Sequence, residues 1–148
     1  MNRLGPVPPV IPYAGQHGGP RRVLSLRLRR GLIASPSVSV NIDGAVYPQQ
    51  WGACAFEIPA DRPVAIAVHQ HGRSGQVGLA TAVLGPDHTP TLEYRGPAHL
   101  AMAGELGAPG TVRQRGVLVQ SGLCGCLIVL LLLLLGLIVF IVTSLVTR

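Results

Sequence analysis

Apolar and polar residues alternate with period two through the middle of the chain, the signature of strands with one buried face. In Arg22–Arg29, Leu24, Leu26 and Leu28 fall on one side, and Ser25, Arg27 and Arg29 on the other. Wound at about 100° per residue, the same leucines would scatter around a helix. Val38, Val40 and Ile42 alternate next with Ser37, Ser39 and Asn41. Asp43-Gly44 follows, the strongest hairpin signal in the chain, because a tight primed turn needs positive φ. A return strand runs through Val46 and Tyr47 to Pro48. Cys54, Phe56 and Ile58 then alternate before Pro59, and Asp61-Arg62-Pro63 turns the chain. Val64, Ile66 and Val68 make the next strand, turned by Gly72-Arg73-Ser74-Gly75. Val77, Leu79, Thr81 and Val83 follow, then Gly85-Pro86-Asp87, and Leu92 and Tyr94 before Pro97. About seven short strands, with turn residues every ~8–12 positions, predict a small antiparallel β-sandwich. Small residues on the second faces, such as Ala65, Ala67 and Ala82, suit close packing or a half-exposed sheet.

The alternation stops near the C-terminal end. From Leu123 to Val146 there is no charge and no proline, and Leu130 to Leu135 are six consecutive leucines. A helix over these 24 residues would rise about 36 Å, enough to cross a hydrocarbon core of about 30 Å. A soluble core helix keeps a polar stripe, and this stretch has none. Between Leu127 and Val142, fifteen of sixteen residues are Leu, Ile, Val or Phe. Their insertion free energy sums to roughly −7 kcal/mol. The expected fold class is therefore mainly β, with one C-terminal transmembrane α-helix. The opening MNRLGPVPPVIPYAG lacks the continuous apolar core of a signal peptide. A cleaved lipid-anchor signal would need a leader and a polar spacer, and neither is expected.

Composition sets the remaining boundaries. Residues 1–20 hold Pro6, Pro8, Pro9, Pro12 and Pro20 among glycines and alanines, which predicts a disordered arm. Residues 21–107 form the expected β-sandwich domain, large enough for one modest core. Residues 108–122, beginning APGTVRQRG, read as a flexible basic linker, 123–146 as the transmembrane helix and 147–148 as a short tail.

The net charge of +6 is unevenly spread. Residues 1–31 carry six arginines and no acid, whereas residues 32–107 carry three arginines against six acids. Arg113, Arg115 and Arg148 supply the rest. This asymmetry points to an anionic partner, most naturally the membrane surface. There is no lysine among the twelve basic residues, a pattern that matches a GC-rich coding bias. Two arginines before the apolar stretch and one after it form a weak positive-inside signal. With no signal peptide and a short tail, the N-terminal domain is expected in the cytoplasm, held at the plasma membrane.

The order VxVxxDG, WG, IPA, VAIAV, LEYRGP and GELG resembles a β-sandwich module of uncharacterised actinobacterial membrane proteins. The matching pieces are Asp43-Gly44, Trp51-Gly52, Ile58-Pro59-Ala60, Leu92 to Pro97 and Gly104 to Gly107. The region also looks loosely like PEGA-type surface modules. The resemblance covers residues 38–107, and its motifs are turns and core positions. It implies a fold and no activity. Asp61-Arg62-Pro63 departs from the small-residue turn usual in that module.

Candidate chemistry is sparse. His69 and His71 lie two apart on a strand end and could chelate a metal, with His88 and His99 as further ligands if the fold gathers them. A structural zinc site wants four ligands, so ordinary surface histidines are the favoured reading and no metal or cofactor is expected. Cys124-Gly125-Cys126 is a weak redox or metal signal, and thiols tolerated among apolar residues are the commoner case. Ser74 lacks a nucleophile-elbow context. Gly72, Gly75 and Gly78 precede no helix that could bind phosphate. The six carboxylates show no acid–base pairing. An enzyme is not expected and no catalytic residue is assigned.

Arg21, Arg22, Arg27, Arg29 and Arg30, with Arg113 and Arg115, form the sharpest remaining feature. They read first as a solvated strand face that discourages edge pairing. The functional reading is a strip on anionic lipid headgroups, worth about 1 kcal/mol per arginine. Nucleic acid would want stacking aromatics, and Phe, Tyr and Trp total only six. Ser121, Gly122, Gly125 and Cys126 give a short small-residue spacing through which the helix could dimerise. The expected role is a non-enzymatic interaction or scaffold module on the bilayer, with a protein partner or a second copy as company. The alternatives are a domain displayed outside that binds envelope components, and a metal- or ligand-binding sensor using His69 and His71.

Overall fold

The computed structural model describes residues 8–32, 34–72, 75–99, 102–113, 130–134 and 136. The chain divides into two units, 1–115 and 116–148. The described part of the first unit holds nine strands: β1 (Val10–Ile11), β2 (Arg21–Arg29), β3 (Val38–Ile42), β4 (Ala45–Gln49), β5 (Gly52–Pro59), β6 (Val64–Gly72), β7 (Gly75–Leu84), β8 (Thr91–Arg95) and β9 (Glu105–Gly107). They form a five-stranded sheet, ordered β1-β5-β2-β8-β9, and a four-stranded sheet, ordered β4-β3-β6-β7.

The core is built from the alternating positions. Leu24, Leu26 and Leu28 of β2, Cys54, Phe56 and Ile58 of β5, and Val64, Ile66 and Val68 of β6 are all buried. A buried side chain of this size contributes about 1.5–3 kcal/mol of transfer free energy. The hairpin between β3 and β4 turns at Asp43 and Gly44, with φ of 50° and 91°. Positive φ at both central residues is the primed turn that matches strand twist. Asn41 supports it by accepting a 2.8 Å hydrogen bond from the Gly44 amide. Between Val68 and Gln70 the β6–β7 register shifts, and Gly78 sits opposite at φ 64°. A Cβ there would meet Pro97 Cδ at 2.9 Å, so glycine is required twice over.

Several expectations need correction. The sandwich is mixed, not wholly antiparallel: β1 runs parallel to β5, and β2 runs parallel to β8. Alternation carries no direction, and only a short turn forces neighbours to be antiparallel. Strands β2 and β8 are separated by the whole second sheet. The strands β1 and β9, two and three residues long, are too short for a periodic signal. On β7 the alternation holds but the faces are exchanged. Leu79, Thr81 and Val83 are exposed, while Gly78, Ala80 and Leu84 are buried.

Within the arm over 1–20, expected as disordered, the described residues 8–20 include a docked segment. Val10 and Ile11 pair with Ala55 and Phe56, and Tyr13 is buried in the core. Prolines and glycines forbid a long element here but not a docked one. The linker over 108–122 also starts as structure. The Thr111 amide and hydroxyl both donate to the Ala108 carbonyl, Val112 is buried, and the Arg113 amide donates to Glu105 at 2.9 Å.

In the second unit, Leu130–Leu134 and Gly136 are helical. The rest of the span expected over 123–146 lies outside the described residues, as do Ser121, Gly122, Cys124, Gly125 and Cys126. Among the described residues no helix is long and apolar enough to cross a membrane.

Candidate functional site

The histidine pair sits at the end of β6, on the outer side of the four-stranded sheet. The two rings stand edge to face with centroids 5.2 Å apart. His71 Nε2 shares a 2.7 Å hydrogen bond with Ser39 Oγ on the neighbouring strand. Burial, and secondarily the His71 imidazole, hold His69 below the usual histidine range. Both effects disfavour a second positive charge in one small space.

A serine within hydrogen-bond reach of an imidazole is half of a nucleophile–base arrangement. The other half is missing here. Ser39 is only 1% exposed, and His71 pairs with no carboxylate among the described residues. Among those residues, no group of three or more His, Cys, Asp or Glu side chains is placed to hold a metal ion. His88 therefore does not join His69 and His71 as a ligand, and neither does His99. Residues 73 and 74 of the glycine-rich turn lie outside the described residues.

The arginine strip is resolved into individual bonds. Arg21 pairs with Glu57 at 3.0 Å, and Arg29 with Glu93 at 3.1 Å. The Glu93 side chain is 3% exposed, so its partner offsets a real desolvation cost. Arg22 points along the strand end and donates to the carbonyls of Pro86 at 2.6 Å and His88 at 2.8 Å, tying down the β7–β8 loop. Arg27 and Arg30 are exposed and make no ion pair among the described residues. Arg113 is exposed as well, and Arg115 lies outside the described residues. Three of the seven proposed lipid contacts, Arg21, Arg22 and Arg29, thus have partners within the sandwich.

Two polar clusters escaped the sequence reading. The first gathers on Asp43. Its Oδ2 accepts from the Tyr13 hydroxyl and from Arg62, both at 2.8 Å, and its Oδ1 accepts from the Ala65 amide at 2.9 Å. Burial alone pushes this carboxyl up. The Ala65 amide, the Tyr13 hydroxyl and the Arg62 guanidinium outweigh it and bring the group below the ordinary aspartate range. The same burial raises the Tyr13 phenol, and the Asp43 charge adds to it. The second cluster lies inside the core. Gln70 is fully buried and accepts from the Ser35 amide at 3.0 Å, and the Tyr94 hydroxyl donates to the Gly78 carbonyl at 2.6 Å. Trp51 stacks on Tyr94 at 6.2 Å, and its indole donates to the Ser35 carbonyl at 2.7 Å. The Asp-Gly and Trp-Gly signals marked these places without revealing their partners.

Beside Trp51 an open depression of about 670 Å³ is lined by Ser37, Pro48, Gln49, Gln50, Gly52 and Ala53, none of them titratable. Cys54 is buried, and burial pushes its thiol up to about 12. No protein-family model, no characterised protein and no solved structure matches the chain.

Proposed function

We propose that this chain is a single-pass membrane protein whose β-sandwich acts as a non-enzymatic interaction or scaffold module at the inner face of the plasma membrane. The observation that carries this reading is the uncharged, proline-free and mostly apolar stretch from Leu123 to Val146, long enough to span a bilayer. The sandwich supports it by what its surface offers. Ser39 is buried behind the exposed His71, and the depression beside Trp51 has no acid or base. An exposed sheet face suits recognition better than turnover. Arg113 and Arg115 favour keeping the domain on the cytoplasmic side. Arg27 and Arg30 are exposed and remain available to anionic lipid headgroups.

Alkaline carbonate extraction of membranes tests the anchor. The full chain should stay in the pellet, and a chain lacking 123–146 should be released. Release of the full chain would remove the basis of the reading.

A further inference from the structure

On the outer face of the five-stranded sheet the register sets like charges side by side. Arg29 of β2 is the cross-strand partner of Arg95 on β8, and Arg27 is the partner of Glu93. Like charges directly opposite each other destabilise a sheet. Neighbouring strands lie about 4.8 Å apart, and successive residues on one face of a strand about 7 Å apart. Arg27, Arg29 and Arg95 therefore rise from three corners of one small rectangle, and Glu93 from the fourth.

The carboxylates at hand do not balance this cluster. Glu93 is 3% exposed, and its Oε1 meets Arg29 Nη1 at 3.1 Å. Arg27 and Arg95 make no ion pair among the described residues. Glu105, the partner of Arg95 on β9, turns its Oε2 to the Arg113 amide instead, at 2.9 Å. Arg95 Nε is buried and has no hydrogen-bond partner among the described residues. Arg22 Nε shares that state, but its two Nη atoms donate to the Gly85, Pro86 and His88 carbonyls. Arg95 has no such substitute. With Arg30 just past the end of β2 and Arg113 in the adjoining loop, five arginines stand against two glutamates at this end of the sheet.

We infer that Arg27, Arg29 and Arg95 form a binding site for a phosphate monoester. An arginine fork matches phosphate oxygens bidentately. At neutral pH a phosphate monoester carries about −1.5 to −2 charge on three strong acceptor oxygens. One such group can bridge Arg29 to Arg95, relieving their repulsion, and still accept from Arg27. A carboxylate offers one charge and two oxygens, and Glu93 already fills that role without pairing Arg27 or Arg95. Glu93 is a positioning residue: its bond holds the Arg29 guanidinium in place before the anion arrives.

The site rests on the interaction-module reading, which it deepens by naming the chemistry recognised, and not on the anchor. The full chain in neutral detergent micelles is titrated calorimetrically with inorganic phosphate. Saturable binding is expected, weakened at least about tenfold by Arg95→Gln and by Arg27→Gln, with unfolding midpoints unchanged. Arg21→Gln removes the same charge at the far end of β2 and should leave the affinity within about twofold. Acetate should bind at least about tenfold more weakly than phosphate. Micelles doped with phosphatidic acid or with phosphatidylglycerol then identify the source of the phosphate. An Arg95-dependent preference for phosphatidic acid, the monoester, assigns the site to a lipid headgroup. Phosphate binding without that preference assigns it to a soluble phosphomonoester. Absence of saturable phosphate binding, acetate binding as tight as that of phosphate, full-strength binding by Arg95→Gln, or equal weakening by Arg21→Gln would each overturn the site and leave the anchored module standing. Release of the full chain by alkaline carbonate would instead remove the anchor and leave the site.

Discussion

The Tyr13 hydroxyl donates to the Asp43 carboxylate across 2.8 Å, joining a proline-rich segment to the tip of a hairpin thirty residues away. Arg62 donates to the same carboxylate and to the Tyr13 oxygen, both at 2.8 Å. The turn residue is thus a fastening point for three separated segments.

Tyr13→Phe keeps the ring in the core and removes one hydrogen bond to a charged acceptor. It should cost about 1–2 kcal/mol in urea unfolding. Asp43→Asn should cost at least as much at neutral pH, while keeping a residue that tolerates positive φ. The sign of the pH dependence follows from a folded pKa held below the ordinary value. Asp43 contributes fully above its unfolded pKa of about 3.9, and the contribution fades as pH falls through the lower folded value. The wild-type and Asp43→Asn midpoints should therefore converge on acidification. A gap that stays constant down to the acid limit would show that the charge of Asp43 is not what matters.

The sequence made some of this visible and hid the rest for physical reasons. Leu24, Leu26 and Leu28, and the Asp43-Gly44 turn, are local signals, so the strands and the hairpin could be read directly. Tyr13 gave no signal because one aromatic in a Pro/Gly segment has no period. The partners of Arg21, Arg22 and Arg29 lie 36, 64 and 64 residues away, and only the register of the assembled sheet brings them close. Leu79 and Val83 misled because both faces of β7 are apolar, which leaves alternation without a direction. Ser39 was visible as a residue, but its bond to His71 needed the diagonal between β3 and β6.

Gly78→Ala should destabilise the sandwich by about 1–3 kcal/mol, from left-handed backbone and lost space together. Thermal unfolding reads the effect directly. A neutral result would mean that the β6–β7 bulge relaxes freely and Gln70 and Tyr94 do not depend on it.

Cys54 is buried with its thiol pushed up to about 12, and its Sγ lies 3.4 Å from the Leu26 carbonyl. It should resist maleimide at pH 7 in the folded chain and react within minutes in denaturant, as followed by peptide mass mapping. Fast native labelling would indicate that the β2–β5 pairing opens locally.

The arginines should separate by role. Arg22→Gln loses the carbonyl contacts of the β7–β8 loop and should lower stability by about 1 kcal/mol, with little effect on lipid binding. Arg27→Gln with Arg30→Gln should leave the unfolding midpoint in place and weaken sedimentation with anionic vesicles by several-fold. Loss of binding to neutral vesicles as well would argue against an electrostatic strip.

The most direct test of the account is the side of the membrane on which the sandwich sits. Single cysteines at Asn2 and Arg148, in a chain without its native thiols, can be probed in intact cells with a membrane-impermeant reagent. The account predicts that position 148 is labelled and position 2 only after permeabilisation. Labelling of position 2 in intact cells would contradict it.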